Sequence, residues 1–344
     1  MRAWQVVRHG RPSDALELRE LTTPAAGPRH VVVRASASVL NFNEVDGCRG
    51  RYLTVNPALP YTLGMEVVGV VESAGVGAEE WLGRRVVATA AGAFGAHADL
   101  VVAGVDMVFE APAALDDVQA AGFFFPFHLA WLGLFTRGRL EPGQTVLVQA
   151  AAGGVGSAAV QLAVVAGARV IAVAGGASKA ELCRSLGATV VVDHTVDDFV
   201  DVADEVTAGR GVDLVFDGVG GEVGERSLRC VALGGTYMTV GFAAGIEAEE
   251  QPWVTPRQLC FGNLSVGGVM LSYTSFPEAT RAATGFNILP RAVGEEIHRS
   301  LTALLDEGRI APVVSEVVPF SSLPAALDAM EDRRTTGRVV VTRD

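Results

Sequence analysis

The sequence predicts an α/β protein of two domains, one β-rich and the other built on a doubly wound parallel sheet. Three observations predict it. The chain has 344 residues, and at about 150 residues per domain that is two cores, not one. Residues 1 to 115 read as short strands broken by Gly and Pro, whereas from residue 116 onward apolar strands alternate with helices. A glycine-rich turn, Ala151 to Gly156, joins one of those strands to a helix.

Taken in order, strands are expected at 30–36, 66–72, 85–89 and 98–102, punctuated by turn residues, which makes a small antiparallel unit. The second part offers strands at 146–148, 170–173, 190–192, 214–216, 236–240 and 264–269. Helical patterns between them imply crossovers and parallel strands. Residues 142–168 carry no charge and pass a naive length test for a membrane span. Gln144, Gln149, Gln161 and the glycines among them argue instead for a β-branched run, a turn and an amphipathic helix. Further on, Val293, Ile297, Leu301, Leu304 and Leu305 keep helical spacing over 291–307 until Gly308 stops the helix. A short helix starts at Ser322, which is placed to cap it, with Pro324 in its first turn. The chain closes on a strand-like run at 339–341, and no internal repeat or low-complexity tract interrupts it.

Composition excludes several classes. With 49% hydrophobic and 19% charged residues the chain belongs among well-packed globular proteins. Its 39 acidic and 27 basic residues leave a net charge of -12, a field that repels nucleic-acid phosphates and anionic membrane surfaces. Cys48, Cys183, Cys230 and Cys260 are scattered without a CxxC unit, which fits a reducing compartment. The N-terminal residues contain no apolar run of signal-peptide length, so the expected location is cytoplasmic.

The glycine-rich turn carries the clearest chemistry. Strand, turn and helix come in the order a dinucleotide site requires, and Gly153, Gly154, Val155 and Gly156 let the backbone approach a pyrophosphate at a helix N-terminus. A plain tight turn is the alternative reading. After the next strand an NAD site presents an acid to the ribose, about 20 residues beyond the first glycine. Here stand Gly175, Gly176, Ala177, Ser178 and Lys179. A missing carboxylate and a nearby ammonium group favour the 2′-phosphate of NADPH, unless Lys179 merely starts a helix in solvent.

Asn41 and Phe42, then Gly50, Arg51 and Tyr52, then Gly64, Met65, Glu66, Val67, Val68 and Gly69, the glycine-rich turn, and the closing Thr335, Thr336, Gly337, Arg338, Val339 and Val340 occur in one order. Together they resemble the medium-chain dehydrogenase/reductase superfamily, and within it the zinc-free quinone oxidoreductase branch. The resemblance implies a GroES-like catalytic domain at 1–122 and 275–344 and a Rossmann NADPH-binding domain at 123–274. Zinc relatives in this superfamily hold the metal with thiolate and imidazole ligands. The corresponding positions here are Asn41, Met65 and Phe125, and residues 86–120 contain no cysteine, so no metal is expected.

The resemblance further implies hydride delivery from NADPH to an acceptor already electron-poor, such as a quinone or the activated C=C bond of an α,β-unsaturated carbonyl compound. Residue by residue, it places Asn41 near the nicotinamide, although Asn also caps turns. Tyr52 matches a proton-donating tyrosine of enoyl reductases and reads equally as a pocket-lining ring. His128, in the apolar run 123–131, is a third catalytic candidate, in a setting where a lone histidine is more often core. His194 and Arg333 match positions that approach the 2′-phosphate, beside Gly175, Ser178 and Lys179. Gly241 and Phe242 match a loop passing the nicotinamide, and Arg338 reads as a surface residue. The expected partners are a small apolar acceptor and a second copy of the chain, paired through the strand at 264–269. An enoyl-thioester reductase and a non-catalytic NADPH-binding protein are the competing functions. Glu44, Asp46 and His128 depart from residues common in quinone reductases, which leaves the acceptor open.

Overall fold

The computed structural model describes residues 1–51, 57–244 and 254–343. The chain divides into two compact units, Met1–Phe124 with Ser272–Asp306 and Pro312–Asp344, and Phe125–Leu271 with Glu307–Ala311.

The first unit is β-rich because its apolar residues alternate. In the strand His30–Val39, Val31, Val33 and Ala35 point into one core with Val67, Val71, Val86, Ala88 and Val101. That strand is central to a seven-stranded sheet in the order Val314–Pro319, Arg338–Thr342, His30–Val39, Glu66–Ala74, Arg85–Thr89, Val108–Glu110, with Leu100–Gly104 also paired to it. The pairings are antiparallel except for the parallel pair formed by Val314–Pro319 and Arg338–Thr342. A second core gathers Trp4, Val6, Leu40 and Leu63 with Phe320, Leu327, Val339 and Val341, residues from both ends of the chain. The Trp4 indole N–H donates to the Phe320 carbonyl at 2.8 Å. The closing strand, aligned Val340 to Val39, thereby completes the N-terminal sheet and gives the GroES-like domain.

The second unit has six parallel strands in the order Val190–Asp193, Arg169–Ala174, Thr145–Val148, Val212–Asp217, Val231–Thr239, Ser265–Gly268. Numbered along the chain this is 3-2-1-4-5-6, the Rossmann order, whose direction reverses between Thr145–Val148 and Val212–Asp217. Ligands of such sheets bind beyond the carboxyl ends of the strands at that reversal. The fifth strand starts at Val231 rather than 236, because a register irregularity lets Val231 pair with Val212 ahead of Thr236 with Leu214. The unit also takes back Glu307–Ala311 from the later part of the chain. The Gln161 side chain secures that return by bonding both backbone groups of Ala311, N–H at 2.8 Å and carbonyl at 3.0 Å.

Two expectations about helices need correction. The helix Gly154–Val165 is not amphipathic: its residues from Gly156 to Ala163 are all buried, so it is a core helix. Ser322 precedes the helix Leu323–Glu331 but makes no side-chain capping bond. Among the described residues one helical run, Asp117–Arg137, is long and apolar enough to cross a membrane, and 72% of its most apolar stretch is buried in the protein.

Candidate functional site

In the Rossmann unit the glycine-rich turn is held from both sides. Ala151 N–H donates to Val173 and Gly153 N–H to Ala150, each at 2.9 Å. Gly153 is the residue before the helix, its side chain absent, and the first turn carries no acidic residue. The amides of Gly154, Val155 and Gly156 open the helix and so have no acceptor within it. That end presents donors and a positive dipole to an anion. A Cβ on Gly156 would lie 2.2 Å from the Ala150 carbonyl oxygen, so the turn is this tight only with glycine there. Ala151, where the fingerprint has its first glycine, is fully buried.

A second cradle lies one strand away. Gly176, at φ +87, starts the helix Ala177–Ser185, again without a capping side chain or an acid in the first turn. That turn carries Ser178 and Lys179, the only lysine in the chain. His194 comes directly after the adjacent strand, and its N–H donates to Ala174 at 3.0 Å. Its ring covers Gly175: a Cβ on Gly175 would meet Nε2 at 2.7 Å. The His194 ring thus lies over Gly175, just ahead of the helix turn that carries Ser178 and Lys179.

Sequence reasoning missed Asp193 at the same place. Its Oδ1 accepts from the Thr195 hydroxyl at 2.6 Å and from the amides of Gly176 at 2.8 Å and Thr195 at 3.0 Å. These bonds, the Thr195 hydroxyl foremost, hold its carboxyl below the usual range. The carboxylate is thus turned to the loop backbone. Only strand pairing, Ala174 beside Asp193, brings it there.

At the end of the fourth strand Asp217 is fully buried. Its Oδ1 accepts from the amides of Val219 at 2.6 Å and Gly220 at 3.3 Å, and Tyr237 Oη donates to Oδ2. Burial pushes this carboxyl above the usual range, against those bonds. The loop bearing Gly241 and Phe242 is laced to the same segment: Val240 N–H donates to Asp217, Ala243 to Gly218 and Ala244 to Val219. Phe242 is left exposed at the carboxyl edge of the sheet.

In the GroES-like unit Asn41 stands at the start of the helix Phe42–Arg49 yet makes no capping bond. Its Oδ1 accepts from the Arg338 guanidinium at 3.0 Å, and its Nδ2 donates to Val39 over a long 3.4 Å. Arg338 also pairs with Glu66. Arg338 is 6% exposed and Glu66 3%, so Arg338 is not the surface residue its sequence position suggests. Burial pushes the Glu66 carboxyl above the usual range, with the Arg338 charge pulling the other way. Because a guanidinium only donates, the Asn41 oxygen must face it and the amide orientation is fixed. A parallel buried chain runs from Ser38 Oγ to His97 Nδ1 at 3.0 Å and from His97 Nε2 to Glu44 at 2.9 Å, and Glu44 accepts the Met65 amide at 3.3 Å. Asn41 and Met65 therefore both hang on buried polar groups.

Arg333, at a left-handed φ of 57 just after the helix Leu323–Glu331, lies with its guanidinium 5.7 Å from the Phe42 ring centre, next to Asn41 in sequence. His128 lies on the helix Phe124–Trp131 with no exposed surface. Phe125 is on the same helix and half-buried. Tyr52 lies outside the described residues. Among the described residues no three His, Cys, Asp or Glu side chains are grouped to hold a metal ion.

Two family descriptions match: alcohol dehydrogenase GroES-like domain over residues 27–113, and zinc-binding dehydrogenase over residues 154–285. The chain is 31% identical to the quinone oxidoreductase-like protein 2 homolog of Nematostella vectensis, over 94% of this chain and 84% of that protein. Its fold is similar to that of Escherichia coli quinone oxidoreductase complexed with NADPH, at a TM-score of 0.86 and 28% identity over 99% of this chain and 100% of that one. It is also similar to the CurK enoyl reductase, at a TM-score of 0.82 and 25% identity over 100% and 99% of the two chains.

Proposed function

Since the chain belongs to the medium-chain dehydrogenase/reductase superfamily, quinone oxidoreductase branch, we propose that it is an NADPH-dependent oxidoreductase that works without zinc. Its hydride acceptor is a quinone or the activated C=C bond of an α,β-unsaturated carbonyl compound. The observation that carries this reading is the donor set at the metal positions of the zinc relatives. Asn41 offers an amide whose oxygen is already taken by Arg338, and Met65 a thioether. Neither supplies the thiolate or imidazole that zinc needs. With no Lewis acid to polarise a simple carbonyl, an acceptor must already be electron-poor.

Bound NADPH supplies the hydride. The chain's own residues do the rest. The amides of Gly154, Val155 and Gly156 bind the pyrophosphate, and Gly153 lets it approach. Ser178 and Lys179, in the first turn of the helix Ala177–Ser185, take the 2′-phosphate together with His194, which follows the neighbouring strand. Gly241 and Phe242 flank the nicotinamide. Asn41, its amide set by Arg338, borders the reacting atoms, where hydrogen bonding and desolvation orient the acceptor. His128, fully enclosed, belongs to the packing of its helix.

A second reading, reduction of an enoyl thioester, draws on the likeness to an enoyl reductase and on Tyr52. The acceptors differ in the step after hydride arrival. A quinone collects charge on oxygen and takes protons from water, whereas an enone or enoyl thioester leaves an enolate whose carbon must be protonated. A positioned phenol contributes on the order of 100-fold to the second step and little to the first. NADPH oxidation measured against quinones, enones and enoyl thioesters, for the protein and for Tyr52→Phe, therefore decides. The expected result is turnover of quinones that Tyr52→Phe leaves intact and turnover of enones that it lowers. Equal rates for both proteins on every acceptor would reduce Tyr52 to a wall of the pocket. No turnover of any acceptor would leave a coenzyme-binding protein.

A further inference from the structure

We propose that His97 is a positioning residue for hydride transfer: through Glu44 it fixes Met65 and the helix start that bears Asn41. The inference rests on the reading above that Asn41 borders the reacting atoms. Glu44 lies in the first turn of the helix Phe42–Arg49, and its amide donates to the Asn41 carbonyl at 3.0 Å. One oxygen of its carboxyl accepts the Met65 amide at 3.3 Å, and the other meets His97 Nε2 at 2.9 Å. The residue before it, Asn43, directs its side-chain amide to the Met65 sulfur at 3.9 Å. Asn43 and Glu44 thus hold Met65 by its side chain and its backbone, on the turn that Asn41 opens. Asn41 and Met65 are the two positions on which the zinc-free reading turns.

His97 is itself fixed by backbone and ring. Its amide donates to the Leu63 carbonyl and the Ala96 amide to Gly64, each at 2.9 Å, which lays this segment against the two residues ahead of Met65. The approach is so close that a Cβ on Gly64 would lie 2.4 Å from the His97 amide nitrogen. On the other side of the ring Nδ1 shares a hydrogen with Ser38 Oγ at 3.0 Å, and Ser38 Oγ accepts from Arg343 at 3.4 Å. The same guanidinium donates to the carbonyls of Ala96 at 3.2 Å and Ala98 at 2.7 Å, one on each side of His97. Ser38 and His97 have no exposed surface and Glu44 has 1%, so this chain of serine, histidine and glutamate meets no substrate of its own. It acts through what it holds. A buried polar group left without a partner is costly, so removing the imidazole turns Glu44 towards another donor and releases Met65 and the helix start. Reaction rates are sensitive to such shifts, because a displacement of about 1 Å costs on the order of 100-fold.

The test compares His97→Gln, which keeps a donor where Nε2 stands, with His97→Leu, which fills the space and has no polar atom. Steady-state rates with a quinone, calorimetric NADPH affinity and the methyl NMR signal of Met65 are measured on each. In His97→Leu, kcat should fall at least about tenfold at unchanged NADPH affinity, and the Met65 signal should split or broaden. His97→Gln should keep most of the rate and a single Met65 signal. Where His97→Leu does not fold, Ser38→Ala, which frees only the far side of the ring, should give a smaller fall in kcat of the same kind. An unchanged kcat in the folded variant, a loss that His97→Gln shares in full, or a Met65 signal that does not respond overturns the inference and leaves the oxidoreductase reading standing. No turnover of any acceptor by the unmodified protein overturns both.

Discussion

Arg338 shows how a residue's role can be hidden from its neighbours in sequence. Lying between Gly337 and three valines, it reads as a surface residue before the closing strand. It is buried because the sheet lays it beside Glu66 and Asn41, residues about 300 positions away in the latter case. The same holds for Asp193, which lies beyond the interval at which a ribose-binding acid is sought and arrives at the loop through strand pairing. Gly153, Gly156 and Lys179 are legible because their signal is local. Breaking a buried pair is expensive, since the surviving charge has no water to return to. Arg338→Met should therefore destabilise the protein by about 3 to 5 kcal/mol in urea denaturation. A loss under about 1 kcal/mol would mean that the pair is solvated and that Asn41 is not held by it.

Elements are legible where their periodicity is strong and misread where burial is total. Five of the six parallel strands fall close to the expected places and the fifth begins five residues early, because a short β-branched run between turn signals has few other solutions. The helix Gly154–Val165 reads as amphipathic since Gln161 sits within it, yet that glutamine is spent on Ala311 inside the unit. Among the described residues the last strand of the parallel sheet, Ser265–Gly268, pairs with Val231–Thr239 on one side and is the edge of that sheet. Around it Leu233 and Phe261 are each 81% exposed, with Val266 and Met270 also open. An uncovered edge bordered by apolar side chains is an aggregation hazard unless it is paired. A second copy meeting it edge to edge by a twofold axis removes the hazard. Light scattering at micromolar concentration should accordingly give a dimer, and Val266→Lys, a charge on the edge, should shift it towards monomer. A monomeric unmodified protein would show the edge to be protected in another way.

At the scale of the molecule, the chain has net charge -12, yet neither of the two helices that follow its glycine turns, Gly154–Val165 and Ala177–Ser185, carries an acidic residue in its first turn. The fold is that of a superfamily with both zinc and zinc-free members, so fold alone does not choose the chemistry. The choice rests on Asn41, Met65 and the buried pair behind Asn41. The central claim, a hydride transfer that needs no metal, is tested by one measurement: the rate of NADPH oxidation with a quinone acceptor before and after exhaustive chelation, with zinc per chain determined on the same sample. The rate should be unchanged at well under one zinc per chain. A rate that collapses on chelation and returns with stoichiometric zinc would contradict it.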